Sequence, residues 1–580
     1  SLTKQGLEPI KPYTDAIMAT KSLDELKDLL VSKDFPFSPW ITLGISFADK
    51  RETNLVAITP NMLFADVNLS GGDPYQDSDD PVEQQSAQQT LLRGELYASL
   101  EAALLVKQGA SDTKEITSEE LQQMVLTMVD FEKSYGKKLD STSSASKSAY
   151  GSLSAETACT MEELEKAFPN FPIKKLMARY GKDKGDKVLV SDFKWVEPFN
   201  ALWVDENFET LKLMTAVKVF NECRTLLDQE LFREVYESLG EVLTPEVVAY
   251  NACNQLTTFA DVVAQNYVEN TLGKDLVDRM TKASENLIAT YNDLINKTSW
   301  FEDATRTKVL EKLDNMTLNV LYPDGGYYDY SGLKLKTSEE GGTLVSNYLA
   351  IKEYRNEQEN ARIGKPAYAN VAWTNIAPTE INCFYNPSDN SINIFPGYIS
   401  TANYSKDMKD EAFWAYIATV IGHEISHGFD YLGSQYDAYG RVEPLFAGDD
   451  ADNFVERRNK LADYYSTITY DAEGSKVDGV GKCTEAAADL SGLQVVLEYV
   501  KSIDGFDYKT FFETYADMWS ATFPPALSSM VITDNHPFAY LRANVNAQMF
   551  DEFYETFGVK EGDGMYLAPE KRIVIWGESA

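Results

Sequence analysis

The sequence predicts a mainly helical chain of more than one domain, with a small β-hairpin shortly before a histidine-bearing helix. Three observations support this fold class. The chain has 580 residues, which is long enough for more than one buried core. Apolar residues recur every three or four positions in long segments, as in helices that bury one face. Two short β-rich runs, 380–385 and 391–395, flank the turn-forming sequence NPSDN and predict the hairpin.

The remaining elements follow from the same patterns. The clearest helical segments are 21–32, 161–170, 206–239 and 284–298. A further helical pattern covers 411–433, and Gly433 is its expected end. The Ser/Thr-rich stretch 141–157 predicts a surface loop. Segment 323–342 is rich in Gly, Tyr and turn-forming residues, so we expect irregular or β structure there and a domain boundary close to it.

Composition indicates a globular protein and excludes some partners. The chain is 44% hydrophobic and carries 90 acidic against 53 basic residues, a net charge of -37. Nucleic acid and anionic membranes need basic surfaces, so neither is an expected partner. The five cysteines are scattered without CxxC spacing, which argues against a disulfide framework and a cysteine-based zinc site. No run approaches the roughly 18 apolar residues of a membrane span.

The candidate chemical site is the sequence IGHEISHGFD at 421–430, which contains two of the three histidines of the chain. Residues four apart on a helix lie above one another, so His423 and His427 point the same way. Two imidazoles at this spacing can bind one zinc ion. Glu424 follows His423 and could reach water at the open face of the metal, which is where a general base must lie.

A third zinc ligand is expected to be a carboxylate. The position of a third histidine in the HExxHxxGxxH pattern holds Gly433. Segment 482–500 predicts a helix with an acidic first turn, on which Glu485 and Asp489 share one face. Glu485 could bind the metal, and Asp489 could hydrogen-bond to a ligand histidine. Taken alone, the stretch also fits a solvated acidic turn that the helix dipole favours.

The third histidine is His536, in the sequence DNHPFAYLR. A lone histidine beside a proline is more often structural. With Asp534 two residues before it, however, its imidazole could stabilise the oxyanion of a tetrahedral intermediate. Arg542, six residues after His536, could bind a carbonyl or carboxylate of a substrate.

Together these motifs resemble the neprilysin-like M13 family of zinc metallopeptidases, and within it the bacterial oligopeptidase O type. The similarity rests on HEISHGFD, the downstream ExxxD, the NCFY hairpin and DNHPFAYLR, in the family's order and over most of the chain. It implies a gluzincin fold with two mainly helical domains that enclose a central catalytic cavity. We expect 1–204 and 346–580 to form the catalytic domain, and 205–345 to be an inserted helical capping domain.

The resemblance also implies one zinc ion per chain. The metal ligands that it implies are His423, His427 and Glu485. It makes Glu424 the general base, and it places Asp489 and Asp430 as hydrogen-bond partners that orient the ligand histidines.

Substrate contacts are implied in the same way. The substrate-binding residues are Asn382, Cys383, Arg542 and Val420. Asn382 would bind the peptide backbone, and Cys383 stands in the family's alanine place. Val420 would line a pocket for a hydrophobic residue just after the cut. His536, oriented by Asp534, would stabilise the transition state.

The sequence departs from the family pattern in several places. The Asn of the ENxxD motif is replaced by Ala486, although the two acidic positions are kept. The family's HxP is His536-Pro537 here, and the disulfides of animal members are not expected. The family's N-terminal DFYxYVNGxW stretch is absent, so we expect the family pattern to begin a few dozen residues before Ser1.

The expected function is that of a zinc endopeptidase acting on small peptides on the amino side of hydrophobic residues. We expect a monomer, located in the envelope of a bacterium or secreted from it, with the cytoplasm as an alternative. A catalytically silent zinc protein that binds peptides is one other interpretation, and Glu424 argues against it. A zinc deacylase is another, and the backbone-recognising Asn382 and Arg542 argue against it.

Overall fold

The structure is a computed structural model that describes most of the chain. The described residues are 6–48, 53–64, 81–109, 117–138, 158–190, 193–239, 242–249, 260–323, 329–365, 380–387, 389–401, 404–405, 407–471, 474–522, 531–532 and 534–577. The predicted loop at 141–157 lies outside these residues.

Helices dominate the described part of the chain. In chain order they are α1 Lys11–Met18, α2 Leu23–Leu30, α3 Pro81–Gly109, α4 Ser118–Gly136, α5 Met161–Ala167, α6 Ile173–Arg179, α7 Val196–Leu202, α8 Phe208–Cys223, α9 Arg233–Ser238, α10 Ala260–Tyr267, α11 Lys274–Lys297, α12 Asp303–Asp314, α13 Leu344–Asn360, α14 Pro396–Thr401, α15 Asp410–Phe413, α16 Thr419–Ser426, α17 Asp450–Thr467, α18 Gly479–Val500, α19 Tyr508–Met518, α20 Ala539–Ala547 and α21 Asp551–Phe557. The strands are β1 Ile41–Ala48, β2 Thr53–Pro60, β3 Ala158–Thr160, β4 Lys187–Val190, β5 Thr317–Val320, β6 Cys383–Asn386 and β7 Ser391–Ile394.

The chain divides into two compact units. Unit 1 consists of residues 1–260 and 328–368, and unit 2 of residues 261–327 and 369–580. One division point lies within 323–342, where the sequence predicted a boundary. No helix in the described ranges is both long and apolar enough to cross a bilayer.

These units do not coincide with the expected segments 1–204, 205–345 and 346–580. Helix α8 packs against α1, α3 and α4 of unit 1, whereas α11 packs against α16 and α18 of unit 2. Both ends of segment 205–345 therefore belong to unit 1, whereas its middle, which includes α11, belongs to unit 2. The expected domain division stays a prediction, whereas the expected mainly helical, two-domain fold class is confirmed.

Unit 1 combines its helices with a four-stranded mixed sheet in the order β1–β2–β4–β3. Its core contains a cluster of buried aromatic rings around Phe199, which contacts Tyr135, Phe171 and Trp195 at centroid distances of 5.6, 5.3 and 5.5 Å. The expected helix 206–239 is broken between α8 and α9. Apolar residues recur at helical spacing throughout this segment. The carboxylate of Asp228 nevertheless accepts the N–H of Glu230 and starts a new helical turn.

Unit 2 contains a three-stranded sheet in the order β5–β7–β6. Strands β6 and β7 are antiparallel, with Cys383 opposite Ile394 and Asn386 opposite Ser391, which confirms the predicted hairpin. Both strands contact α16, so the hairpin lies beside the histidine-bearing helix as expected. Strand β5 adds to β7 in parallel.

The histidine-bearing helix is shorter than its sequence pattern. Helices α15 and α16 join through a π-helical turn at Trp414–Ala418, and His427 caps the C-terminus. The prediction that this helix ends at Gly433 was wrong. The Asp430 carboxylate accepts the N–H groups of Leu432 and Gly433, both at 2.8 Å, and folds the chain back. A Cβ at Gly433 would lie 1.8 Å from the carbonyl oxygen of His427, so this glycine allows a close backbone approach.

A buried carboxyl group in unit 1 links stability to pH. Glu101 of α3 is fully buried, and neither of its oxygens makes a hydrogen bond among the described residues. Burial raises the pKa of Glu101 to about 8, and Arg224, 3.8 Å away, offsets only part of this effect. The folded chain therefore keeps a proton that the unfolded chain releases near its ordinary value of 4.5.

We expect the protein to lose stability as the pH rises from about 4.5 to about 8, because only the folded state then holds this proton. Glu101→Gln should remove this loss and be more stable than the parent at pH 8 by a few kcal/mol, at about 1.4 kcal/mol per unit of pKa shift. Urea unfolding at pH 5 and pH 8 measures the difference. The exposed Glu234→Gln is the control. An unchanged pH dependence in Glu101→Gln would show that the carboxyl is ionised in the fold.

Candidate metal centre

Helices α16 and α18 cross where each carries a glycine. A Cβ at Gly422 would lie 2.7 Å from Cγ1 of Val495 and 3.1 Å from Cα of Gly492. A Cβ at Gly492 would lie 2.5 Å from the carbonyl oxygen of Thr419 and 2.7 Å from the backbone nitrogen of His423. A side chain at either glycine would separate the helices. This close crossing brings the acidic residues of α18 to the histidines of α16.

Three side chains converge at the crossing. The Nε2 atoms of His423 and His427 are 3.0 Å apart. Oε2 of Glu485 lies 3.3 Å from Nε2 of His423 and 3.5 Å from Nε2 of His427. The structure thus brings together the three residues that the sequence predicted as metal ligands.

The two histidines are oriented by carboxylates. Nδ1 of His423 lies 2.8 Å from Oδ1 of Asp489, and Nδ1 of His427 lies 2.6 Å from Oδ2 of Asp430. Both aspartates are buried. In the neutral imidazole, a proton on Nδ1 leaves a lone pair on Nε2. The three converging atoms are then all acceptors.

This arrangement fits a tetrahedral metal ion. Oε2 of Glu485 is buried and has no hydrogen-bond partner among the described residues. Ligands at the zinc distance of 2.0–2.1 Å in tetrahedral geometry are roughly 3.3–3.4 Å apart, close to the observed separations. Buried acceptors that face one another without a donor are unfavourable, and a cation between them removes the conflict.

Charges in the centre favour ionised carboxylates on α18. Burial alone would raise the pKa of Glu485, but His427 and His423 lower it well below its usual range. Burial also opposes ionisation of Asp489, but Arg542 and His423 lower its pKa to about 2. Glu424 differs, because burial raises its pKa despite the neighbouring histidines.

Arg542 lies against Asp489 rather than in open space. Its Nε and Nη2 donate to the two oxygens of Asp489 at 2.7 and 2.6 Å, and its guanidinium lies 3.8 Å from the ring centroid of Trp519. Asp489 therefore joins Arg542 to His423. The expected contact of Arg542 with substrate stays a prediction.

His536 also faces the carboxylate of Glu485. Its Nε2 is 3.3 Å from Oε2 of Glu485, and its Nδ1 is 2.7 Å from Oδ1 of Asp534. The side chain of His536 is 42% exposed, whereas that of His423 is 8% exposed. All three histidines of the chain thus face Glu485, and His536 is the one that faces solvent.

The other predicted residues surround this centre. Glu424 is buried, and its carboxyl interacts electrostatically with the three histidines and Glu485. Val420 is partly exposed on α16, one turn before Glu424. Asn382 is exposed next to β6, and its side-chain oxygen accepts the N–H of Cys383 at 2.9 Å.

Two features of this centre were not predicted from the sequence, and one prediction about it was wrong. The pairing of Gly422 with Gly492 was missed, although a glycine inside a helical pattern signals a close packing contact. Trp519 was missed as well, because no local pattern indicates its contact with Arg542. The prediction that Glu485 lies in an acidic first turn was wrong, because α18 begins at Gly479 with Asp478 as its cap. Glu485 therefore lies inside the helix.

Two family models identify the family of this chain. Residues 1–323 match one model and residues 382–573 match the other, and both are described as peptidase family M13. The chain belongs to peptidase family M13. The resemblance predicted from the motifs is confirmed.

Several relatives support this membership. The neutral endopeptidase of Lactococcus lactis subsp. lactis is 30% identical to this M13 chain over 417 residues, which cover 70% of the chain and 64% of the relative. Neprilysin-11 of Caenorhabditis elegans is 26% identical over 49% of the chain and 35% of the relative. The chain spans less than two thirds of the length of the neutral endopeptidases that it matches.

Solved structures show the same fold. PepO of Lactobacillus rhamnosis aligns with a TM-score of 0.73 and 23% identity, covering 99% of this chain and 88% of that one. The zinc metalloprotease Zmp1 of Mycobacterium tuberculosis in its open state aligns with a TM-score of 0.77 and 22% identity, with coverage of 99% and 88%.

We expect Asp489→Asn to lower the affinity of the M13 chain for zinc by about 10–100-fold, because His423 loses the acceptor that fixes its tautomer. The unfolding temperature should also fall, since Arg542 loses its carboxylate partner. Competition with a chromophoric chelator and thermal unfolding measure the two effects. The exposed Asp452→Asn on α17 is the control. Zinc affinity within about threefold of the parent would contradict the orienting role.

Proposed function

We propose that the protein is a zinc-dependent endopeptidase that hydrolyses small peptides. The observation that carries the proposal is the convergence of three acceptor atoms, from His423, His427 and Glu485, beside the buried carboxyl of Glu424. Membership of peptidase family M13 and similarity to neutral endopeptidases support the same activity.

The metal would be one zinc ion, held by His423, His427 and Glu485. Two imidazoles and one carboxylate are a ligand set of catalytic zinc sites, which keep the fourth position open. Zinc bound there supplies Lewis acidity and lowers the pKa of the water that it holds.

Glu424 would act as the general base and then as the general acid. Its buried carboxyl faces the ligand histidines, and burial raises its pKa, which suits a group that accepts and returns a proton. It would take a proton from the attacking water and pass it to the departing amine. A protein that only bound peptides would have no need of this carboxyl.

His536 would stabilise the negative charge that develops on the carbonyl oxygen. Asp534 holds its Nδ1, so Nε2 points toward the centre, where the doubly protonated imidazole would donate to an oxyanion. Substrate would align along the hairpin strand β6, with Asn382 binding its backbone. Arg542 would contact a substrate carbonyl near the first residue after the cut.

We expect a quenched fluorescent peptide of about ten residues to be cleaved by the purified protein, to survive after chelation, and to be cleaved again after zinc is returned. Glu424→Gln should bind zinc normally and lower kcat by about 10²-fold or more, because it cannot accept a proton. Metal analysis beside the rate assay separates the two properties. The exposed Glu456→Gln is the control.

A protein with full zinc occupancy that cleaves no peptide would contradict this proposal. It would favour the alternative, a zinc-containing peptide-binding protein. Cleavage of acylated amino acids in preference to peptides would instead favour a deacylase.

The cut is proposed to fall on the amino side of a hydrophobic residue. Val420 lies one helical turn before Glu424 and is partly exposed, so it is placed to contact the residue after the cut. We expect mass spectrometry of the products to show new N-terminal Leu, Ile or Phe residues. Val420→Ala should lower kcat/KM for a leucine substrate about tenfold and change an alanine substrate less. Equal losses for both substrates would argue against a contact between Val420 and the substrate residue after the cut.

A further inference from the structure

A buried lysine next to the metal centre holds the segment that carries His536. Lys482 lies on α18 and is 2% exposed. Its Nζ donates to the backbone carbonyl oxygens of Ile532, Asp534 and His536 at 3.3, 2.6 and 2.9 Å. An ammonium group has three N–H donors, so these carbonyl groups use all of them.

The three carbonyl groups come from alternate residues of one short segment. Among the described residues, no carboxylate lies within ion-pair distance of Lys482, although the charges of Asp534 and Asp478 favour its protonated form. A buried ammonium group that lacks an ion pair is costly unless polar groups surround it. The carbonyl dipoles therefore have to converge on Nζ, which fixes the backbone at Ile532, Asp534 and His536.

That backbone path determines where the imidazole of His536 lies. The Asp534 carboxylate accepts the backbone N–H of His536 at 2.6 Å and lies 2.7 Å from its Nδ1. Asn535, between them, donates to Oε1 of Glu485 at 3.4 Å. Lys482 therefore holds the backbone of His536, and Asp534 holds its ring.

Lys482 also ties this segment to the metal ligand. It is three residues before Glu485 on the same helix, so the two side chains share one face. Nε2 of His536 lies 3.3 Å from Oε2 of Glu485. One helix therefore sets both the position of the carboxylate ligand and the position of the third histidine.

We propose that Lys482 is a positioning residue that holds the imidazole of His536 at the distance from Glu485 required for transition-state stabilisation. The inference rests on the proposed peptidase function. Lys482 would touch neither substrate nor metal. It would act only through the backbone carbonyl groups of Ile532, Asp534 and His536.

The first test is kinetic. Lys482→Met should lower kcat by about 10–100-fold, because a displacement of about 1 Å in a catalytic group can cost 10²-fold, and KM should change by less than about threefold. In a His536→Gln background the same substitution should lower kcat by less than about threefold, since the group that it positions is absent. Lys482→Arg, which retains donors, should recover most of the rate.

The second test reads the position of His536 without catalysis. Histidine-specific isotope labelling gives at most three imidazole signals in this chain, and His536→Gln assigns one of them. Lys482→Met should shift or broaden the His536 signal and leave the other two in place, with zinc content unchanged. If the methionine variant does not fold, Lys482→Gln should show the same changes to a smaller extent. Lys218→Met, which replaces a buried lysine that donates to the carbonyl of Asn61 and pairs with Glu132 in unit 1, is the control for loss of a buried lysine away from the centre.

An unmoved His536 signal in Lys482→Met would overturn the inference, whether or not the protein cleaves peptides. So would a loss of kcat that is equally large with and without His536. A parent protein that cleaves no peptide contradicts the proposed function alone, because the imidazole signals still report whether Lys482 holds the segment.

Discussion

The close crossing of α16 and α18 is the constraint on which the rest of the site depends. Gly422 and Gly492 face each other across it, and a Cβ on either would overlap the other helix. Glycine inside a helix costs about 1 kcal/mol relative to alanine, so two such positions are unfavourable by themselves. Burial of Ile421 and Ile425 on α16 and of Leu493 on α18, in one hydrophobic cluster, offsets that cost. The crossing then brings a carboxylate of one helix to the imidazoles of the other.

The resulting centre favours a bound cation, because its converging acceptor atoms are unfavourable when no donor or cation lies between them. Two Nε2 atoms and one carboxylate oxygen converge, and buried Asp489 and Asp430 hold the opposite ring nitrogens. Without a metal, such a set is stable only when protons take the metal's place. Burial alone would lower the pKa of His423, but the neighbouring carboxylates of Asp489 and Glu485 raise it to about 9. Metal binding must displace those protons, so affinity depends on pH and couples to the stability of this part of unit 2.

The sequence predicted the features that follow from helical spacing, and it failed where a side-chain hydrogen bond or a distant contact decides the structure. His423 and His427 on one helical turn follow from periodicity alone. The end of that helix was misjudged, because the helix stops where Asp430 captures two N–H groups, and Gly433 serves the contact with His427. The break between α8 and α9 was missed because the apolar spacing continues through it. Lys482 was not recognised, since a lysine early in a helix is usually exposed.

The functional residues of helix α18 have the same spacing as ordinary core-facing residues, so the sequence pattern alone does not distinguish them. Its residues Lys482, Glu485, Asp489 and Gly492 follow one another at spacings of three and four, which is the spacing of a core-facing stripe. Three of the four residues are polar and yet largely buried, and each of the four has its own partner on another element: the His536 segment, the two histidines, Arg542 and α16. Because all four lie on one rigid helix, their partners are held in a fixed order relative to one another. A shift of α18 by even a fraction of a turn would disturb every one of these contacts at once, which is why the glycine crossing and the chemistry cannot vary independently.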